Sequence, residues 1–571
     1  MRTLIIVLSL LIVASLLLGC QPTPTAAPKA TSAPAAAATT APAASTVAPV
    51  AKPTTAPVAA ATAAPTAAPA PKVKRGGSIT YARNNVVDGL DIVTSITFSA
   101  PAAGLVYEHL LNYELVDQKS GKHELKPQLA ESWDVSNPKR IVIKIKKGIK
   151  FSDGSELTAD VAKWNIDRVR THAKSQGKFQ VSSIDSVDVV DPSTIAVNLK
   201  SPSATALLKL SNGVSGTGAY ATAMASKASV DTGGTEALHT KPVGTGPMVL
   251  DQWLQGDRVT LKKRPDYWQM GVDGQPLPYF DTFTDRYIQD SSVQFIELRT
   301  GGIQMSGAIL PKDIASLRNN PDLVWEDHPW TGTLRFIFAF NQTAGPFKDN
   351  LKLRQAAQYA IDRESMAKTM GFGIAKGSYY GYWVPGVLGY DESIINYKFD
   401  AAKAKQLVAE AGYPNGVEVP LNFIARDPDR QIAEIAKAMW DAVGIRTTLD
   451  SMERAAGLQR YQNQNFTIGF YGLAMLPDPD LYAPKALICK AMNNWTDWCN
   501  QEFTSCIEEG GSTLDETKRN AIYKRCLKIY KEDAFLGSGY QEAQYVSYTS
   551  KLKDVKVHYQ DTDLRWAWLD R

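Results

Sequence analysis

The rhythm of apolar and polar positions changes along the 571-residue chain. It opens on an apolar run from Leu4 to Leu18, with Arg2 ahead of it and Gly19-Cys20 behind. A run of about 15 residues flanked in this way has the form of a secretory signal. It falls short of the ~20 residues that a mature helix needs to span ~30 Å of hydrocarbon. From 21 to about 71 the chain is almost wholly Ala, Pro and Thr. Such a segment has too little apolar side chain to bury a core, and a disordered linker is predicted. Strand and helix rhythms begin at Gly76. Ile141, Ile143 and Ile145 alternate with Lys144 and Lys146, which predicts a half-buried strand. Asp153-Gly154 marks a turn, and Thr158 caps a helix with Asp160 in its first turn and Val161, Trp164 and Val169 along one face. Residues 186–190 and 194–199, joined at Asp191-Pro192, predict a hairpin. Further on, Asp349 is expected to cap a helix through Leu353, Ala356, Ala357, Ala360 and Ile361. Asp400 caps another that stops at Gly412, with Pro414 beyond. A third runs through Ile432, Ile435, Ala436, Met439 and Val443 to Gly444. Strands and helices mixed without a fixed repeat predict an α/β architecture of several lobes.

Composition sharpens this picture. The chain is 44 % hydrophobic, and the ~500 residues beyond the linker exceed one ordinary domain. A net charge of +4, with no basic run beyond Lys72 to Arg75, argues against a nucleic-acid partner. No later stretch is apolar for 18 residues, so nothing after the signal is expected to span a membrane. Besides Cys20 there are Cys489, Cys499, Cys506 and Cys526. An even set in an exported chain suggests two disulfides, with three connectivities open. The favoured pairing closes a loop with Cys489–Cys499 and links two adjacent helices with Cys506–Cys526. A zinc site is the rival, without CxxC spacing to support it.

Catalytic signatures are sparse. The six histidines are scattered and form no HExxH pair. There is no GxSxG elbow. Gly371-Phe-Gly373-Ile-Ala-Lys-Gly377 has the wrong spacing for a dinucleotide loop and follows no strand signal. A carboxylate pair remains open, and with it a tethered extracytoplasmic hydrolase. No cofactor or metal is expected.

Leu17-Leu18-Gly19-Cys20 resembles the bacterial lipobox, in which the cysteine is diacylated and becomes the new N-terminus. Two or more acyl chains anchor stably where one does not. An ordinary signal peptide that contains a cysteine is the plainer reading. The folded part resembles the peptide and nickel class, family 5, of ABC-transporter solute-binding proteins. The residues that carry the resemblance are Pro127-Gln-Leu-Ala-Glu-Ser-Trp133 with Phe151-Ser-Asp-Gly154 and Leu157-Thr-Ala-Asp-Val161; Pro242-Val-Gly-Thr-Gly-Pro247 with Tyr267-Trp268; Phe347-Lys-Asp349 through Ala360-Ile-Asp-Arg-Glu364; and Ala409-Glu-Ala-Gly-Tyr-Pro-Asn-Gly416. These blocks read as structural: Gly244 and Gly246 permit a tight path, and Trp133 and Trp268 belong with the core.

The resemblance implies a two-lobed, hinged periplasmic-binding-protein-like α/β fold with an additional small domain. The signal would be 1–19, the lipidated Cys20 and linker 20–75, lobe I 76–118, 242–335 and 537–571, the insert domain 119–241, and lobe II 336–536. It implies a monomeric receptor, not an enzyme, working with an ABC permease and its ATPase subunits. The receptor would be lipid-anchored at the outer face of the cytoplasmic membrane or in the periplasmic space, and its cargo a peptide or an oligosaccharide. In peptide-binding relatives an Asp ahead of a Pro-Asp-Pro-like turn pairs with the ligand ammonium. Here that position is Met475, and Asp478 substitutes only if the loop differs, a turn role being the plainer one. Arg426 matches an arginine that forks onto a ligand carboxylate, with a solvated surface arginine as the rival. Trp383, Tyr471, Asn494 and Trp495 fall where the family lines its cavity, and for the aromatic residues core and pocket roles are both open.

Overall fold

Burial alternates along the strand Arg140–Ile145 as its side chains dictate, with Ile141, Ile143 and Ile145 buried and Lys144 exposed. Each isoleucine so placed contributes about 1.5–3 kcal/mol. The computed structural model describes residues 73–571 apart from 96, 99–100, 118–121, 213–219, 329–333, 395–396, 426–428, 474–475, 543 and 559–560. Cys20, Arg426 and Met475 therefore lie outside the described residues. No helix among the described residues is long and apolar enough to cross a membrane.

Three larger sheets organise the chain. In the first, the strands run Leu323–His328, Gln544–Thr549, Met305–Ser306, Ser78–Arg83, Thr282–Tyr287, Arg258–Lys263 and Met248–Leu254 from edge to edge. The second runs Ala375–Gly377, Leu536–Glu542, Leu334–Phe340, Ile468–Leu473, Val417–Ile424 and Ile445–Met452. Its parallel pair, Val417–Ile424 with Ile445–Met452, is joined through the helix Asp429–Asp441, which lays Ile432, Ala433, Ala436 and Trp440 inward. The third is an antiparallel four-stranded sheet, Ala130–Asn137, Arg140–Ile145, Thr194–Leu199 and Ile184–Asp191, and it contains the expected hairpin.

The cores divide these sheets into two groups. Ile79 and Phe283 of the first sheet, and Ile143 and Val197 of the third, belong to one continuous apolar cluster. The second sheet has its own, around Phe338, Trp440 and Phe470, with an aromatic-rich cluster around Trp383, Tyr461 and Tyr530 on its other side. The chain crosses from the first sheet to the second at 329–333 and back at 543. Leu334–Phe340 and Leu536–Glu542 are neighbours in the second sheet, so pairing keeps both strands whole.

The motif blocks do structural work. A Cβ on Gly244 would stand 2.0 Å from the Val106 carbonyl oxygen, and one on Gly246 would stand 2.5 Å from that of Leu105. Only a bare backbone passes there. Trp268 is half-buried against the first core, and its indole N–H donates to the buried Glu108 carboxylate at 2.9 Å. Trp133 is likewise half-buried. Thr158 and Asp400 cap their helices through their side chains, and Gly412 and Gly444 take φ of +96° and +92° beyond the ends of theirs. The Asp349 cap is corrected: Asn350 caps the helix Leu351–Tyr359, accepting from the Leu353 amide at 3.2 Å, and Asp349 stands outside with φ of +51°.

Candidate functional site

The strand Ile468–Leu473 carries Tyr471 to the end of the second sheet, opposite Ile337. Alternation puts Phe470 into the Phe338 and Trp440 core on one face and Tyr471 on the other. There Tyr471 meets Trp495 edge-on, with ring centroids 4.8 Å apart. Trp495 stacks on Tyr461 at 5.4 Å. Tyr461 is fixed in turn, its hydroxyl donating to the Asn422 carbonyl at 2.7 Å. Burial pushes the Tyr471 phenol well above its ordinary value, and the neighbouring Tyr382 phenol adds to this. Tyr461, Trp495 and Tyr471 thus form a continuous aromatic wall in which Tyr471 and Trp495 are only half-buried. The Trp495 indole N–H is buried and has no acceptor among the described residues.

Trp383 lies deeper. It is 1 % exposed and packs against Tyr530 and, at right angles, Tyr482. It belongs to the same aromatic-rich cluster. Asn494 is saturated by its own loop: its amide donates to the carbonyls of Ile488 at 3.1 Å and Trp498 at 2.6 Å, and its Oδ1 accepts from the Thr496 hydroxyl at 3.0 Å. That network holds Trp495 in place. Asp478 is also taken up internally. Its Oδ1 accepts from the Asp480 amide at 3.0 Å, which sets the turn, and from Arg519 Nη2 at 2.8 Å. Burial pushes the Asp478 carboxyl above its ordinary value, an effect the Arg519 guanidinium only partly offsets. A buried carboxylate with an arginine partner is not available to a ligand ammonium unless that partner leaves.

Cys489 is bonded to Cys499 and Cys506 to Cys526. The first bond closes the loop that contains Asn494 and Trp495. The second joins the helices Gln501–Ser512 and Glu516–Glu532. No group of three His, Cys, Asp or Glu side chains among the described residues is arranged to hold a metal ion. Of the residues expected to line the cavity, Tyr471 and Trp495 come together, Asn494 fixes the loop that carries Trp495, Trp383 is buried in the same cluster, and Asp478 is committed to Arg519. Tyr461 and Arg519 escaped the sequence reading. Tyr461 lies on the short helix Arg454–Gln462, and nothing local marks either residue, because their partners are distant in the chain.

A family model described as "Bacterial extracellular solute-binding proteins, family 5 Middle" matches residues 124–494. The chain belongs to the family 5 solute-binding proteins. One relative, the glutathione-binding protein GsiB of Shigella dysenteriae, is 30 % identical over 426 residues, covering 72 % of this chain and 79 % of its own. Among solved structures, DppA of Helicobacter pylori in complex with the peptide STSA superimposes with a TM-score of 0.74 at 24 % identity, over 87 % of this chain and 99 % of that one. AppA of Bacillus subtilis in complex with a nonapeptide gives 0.72 at 21 % identity, over 88 % and 100 %. These likenesses establish the two-lobed α/β fold. As a family 5 member the protein is the solute-binding receptor of an ABC importer, and its relatives are binding proteins rather than enzymes.

Proposed function

We propose that this receptor captures a short peptide or peptide-like solute in the cleft between the first and second sheets, closes on it, and delivers it to the permease. The aromatic wall, with a donor that has no acceptor among the described residues, supports this reading. The Trp495 N–H offers one hydrogen bond to a carbonyl or carboxylate, while the faces of Trp495 and Tyr471 accept side chains of varied shape. The relatives named above bind glutathione and peptides. Arg426 remains the candidate for a ligand carboxylate, and Met475 occupies the position of the usual ammonium partner. That substitution favours a second reading, in which the solute is an oligosaccharide or another ligand without a free ammonium group. Cys20 is proposed as the lipidated N-terminus. The Ala/Pro/Thr segment after it would hold the receptor near its permease on a leash reaching about 150 Å at ~3 Å per residue.

A thermal-shift series against di- to pentapeptides, glutathione and oligosaccharides separates the two readings. A solute present at 100 times its dissociation constant should add about 2.7 kcal/mol of stability. Trp495→Ala should weaken binding of the active solute about tenfold or more. A shift with a sugar and none with any peptide rejects the peptide reading.

A further inference from the structure

The first and third sheets share one core, while the second sheet has its own, so the molecule consists of two bodies joined by the crossings at 329–333 and 543. Far from those crossings in sequence, the bodies also touch through a small, separate apolar cluster. Leu208, next to the third sheet, meets Leu481, just beyond the Asp478 turn, with Tyr113 and Leu476 packed at its edge. Beside it, Lys209 Nζ donates to Asp480 Oδ2 at 3.1 Å, with side-chain exposures of only 6 % and 12 %. The Thr205 hydroxyl donates to the same oxygen. The Ala204 amide donates to the Gly511 carbonyl at 3.1 Å, and a Cβ on Gly511 would stand 2.6 Å from Asp480 Oδ1. On the second body, Asp480 is locked to its neighbours through the Asp478 turn and Arg519.

We infer that Thr205 and Lys209 form a latch on Asp480 that holds the receptor shut. This rests on the reading of the protein as a receptor that closes on a solute. The geometry distinguishes a latch from ordinary core packing in two ways. The cluster has two buried members, Leu208 and Leu481, one from each body, so it splits between them when the bodies part. The Lys209 and Asp480 charges meet across the two bodies, so each loses its partner when the bodies part. In exchange terms the latch belongs to the low-stability end of the molecule, where contacts open without global unfolding.

The test uses the full chain, both as purified and after solute is stripped by unfolding and refolding. Small-angle scattering gives the radius of gyration, and amide exchange reports on residues 201–210. Lys209→Met and Asp480→Asn should each enlarge the radius and speed exchange in 201–210 about tenfold or more in at least one preparation. Lys163→Met, which removes the surface partner of Asp167, should change neither. Thr205→Val, which removes only a hydroxyl, should shift both readings in the same direction by less, and it serves if either charge variant fails to fold by circular dichroism. Wild-type radius and exchange for every folded latch variant in both preparations would overturn the latch. Neither readout depends on knowing the cargo, so a failed latch and a failed solute reading are separate results.

Discussion

Buried carboxylates recur in this protein, and arginines answer them, most from far along the chain. Arg168 pairs with Asp91, Arg565 with both Glu108 and Asp563, and Arg519 with Asp478. Burial disfavours the charge on Asp563, yet the Arg565 guanidinium, aided by His558, holds its carboxyl well below the usual carboxylate range. A carboxylate depressed in the folded state contributes stability that is fully present above its unfolded value of ~3.9 and disappears as pH falls towards the folded one. Asp563→Asn should therefore cost about 3 kcal/mol near pH 7, and its deficit relative to wild type should shrink towards about pH 3. Urea midpoints at the two pH values measure this, and an undiminished deficit in acid would refute it. Such pairs could not be read from sequence. Arg565 and Glu108 are 457 residues apart, and Arg519 and Asp478 are 41 apart, so neither residue's neighbours announce the contact. Asp478 accordingly reads in the sequence as a turn residue, with nothing to announce Arg519.

Elements were more legible, because the signals that form them are local. The Ile141 strand, the Thr158 and Asp400 caps and the Asp191-Pro192 hairpin all depend on residues a few positions apart. The exception is instructive. Asp349 and Asn350 are adjacent and nearly equal in capping strength, so pattern alone had no means of choosing between them. The backbone chose: Asp349 takes a left-handed turn that Asp and Asn tolerate, which leaves Asn350 to accept from Leu353. Asn350→Ala should cost about 1 kcal/mol and Asp349→Ala less, compared by chemical denaturation. The disulfides act on elements as well. Opening Cys506–Cys526, which closes a 20-residue separation, should cost about 3 kcal/mol through freed chain entropy. Opening Cys489–Cys499, with a separation of 10, should cost less in stability. It should cost more in solute affinity, because that loop holds Trp495. Paired melting and binding curves of the two double-serine variants test the reversal of order. Equal effects on both properties would count against it.

At the scale of the whole molecule, the order of strands within a sheet was the least accessible feature. The first sheet sets Gln544–Thr549 between Leu323–His328 and Met305–Ser306, neighbours separated by more than two hundred residues. The motif blocks supplied the family and hence the two-lobed plan. They did not supply the crossings, because a strand reads the same whichever sheet it joins. The aromatic wall was half legible: Tyr471 and Trp495 stood near recognisable motifs, whereas Tyr461 did not.

The return crossing at 543 has an evolutionary consequence. One position separates Glu542, the last residue paired in the second sheet, from Gln544, the first paired in the other. Side chains alternate faces along a strand, so one residue gained or lost there would invert the register of everything downstream against one of the two sheets. Val546 and Tyr548, buried against the first core, would exchange faces with their neighbours. Descendants of this chain are therefore held to the same residue count between Glu542 and Gln544. Length changes belong instead in turns such as Leu254–Arg258, where Gly256 faces open space.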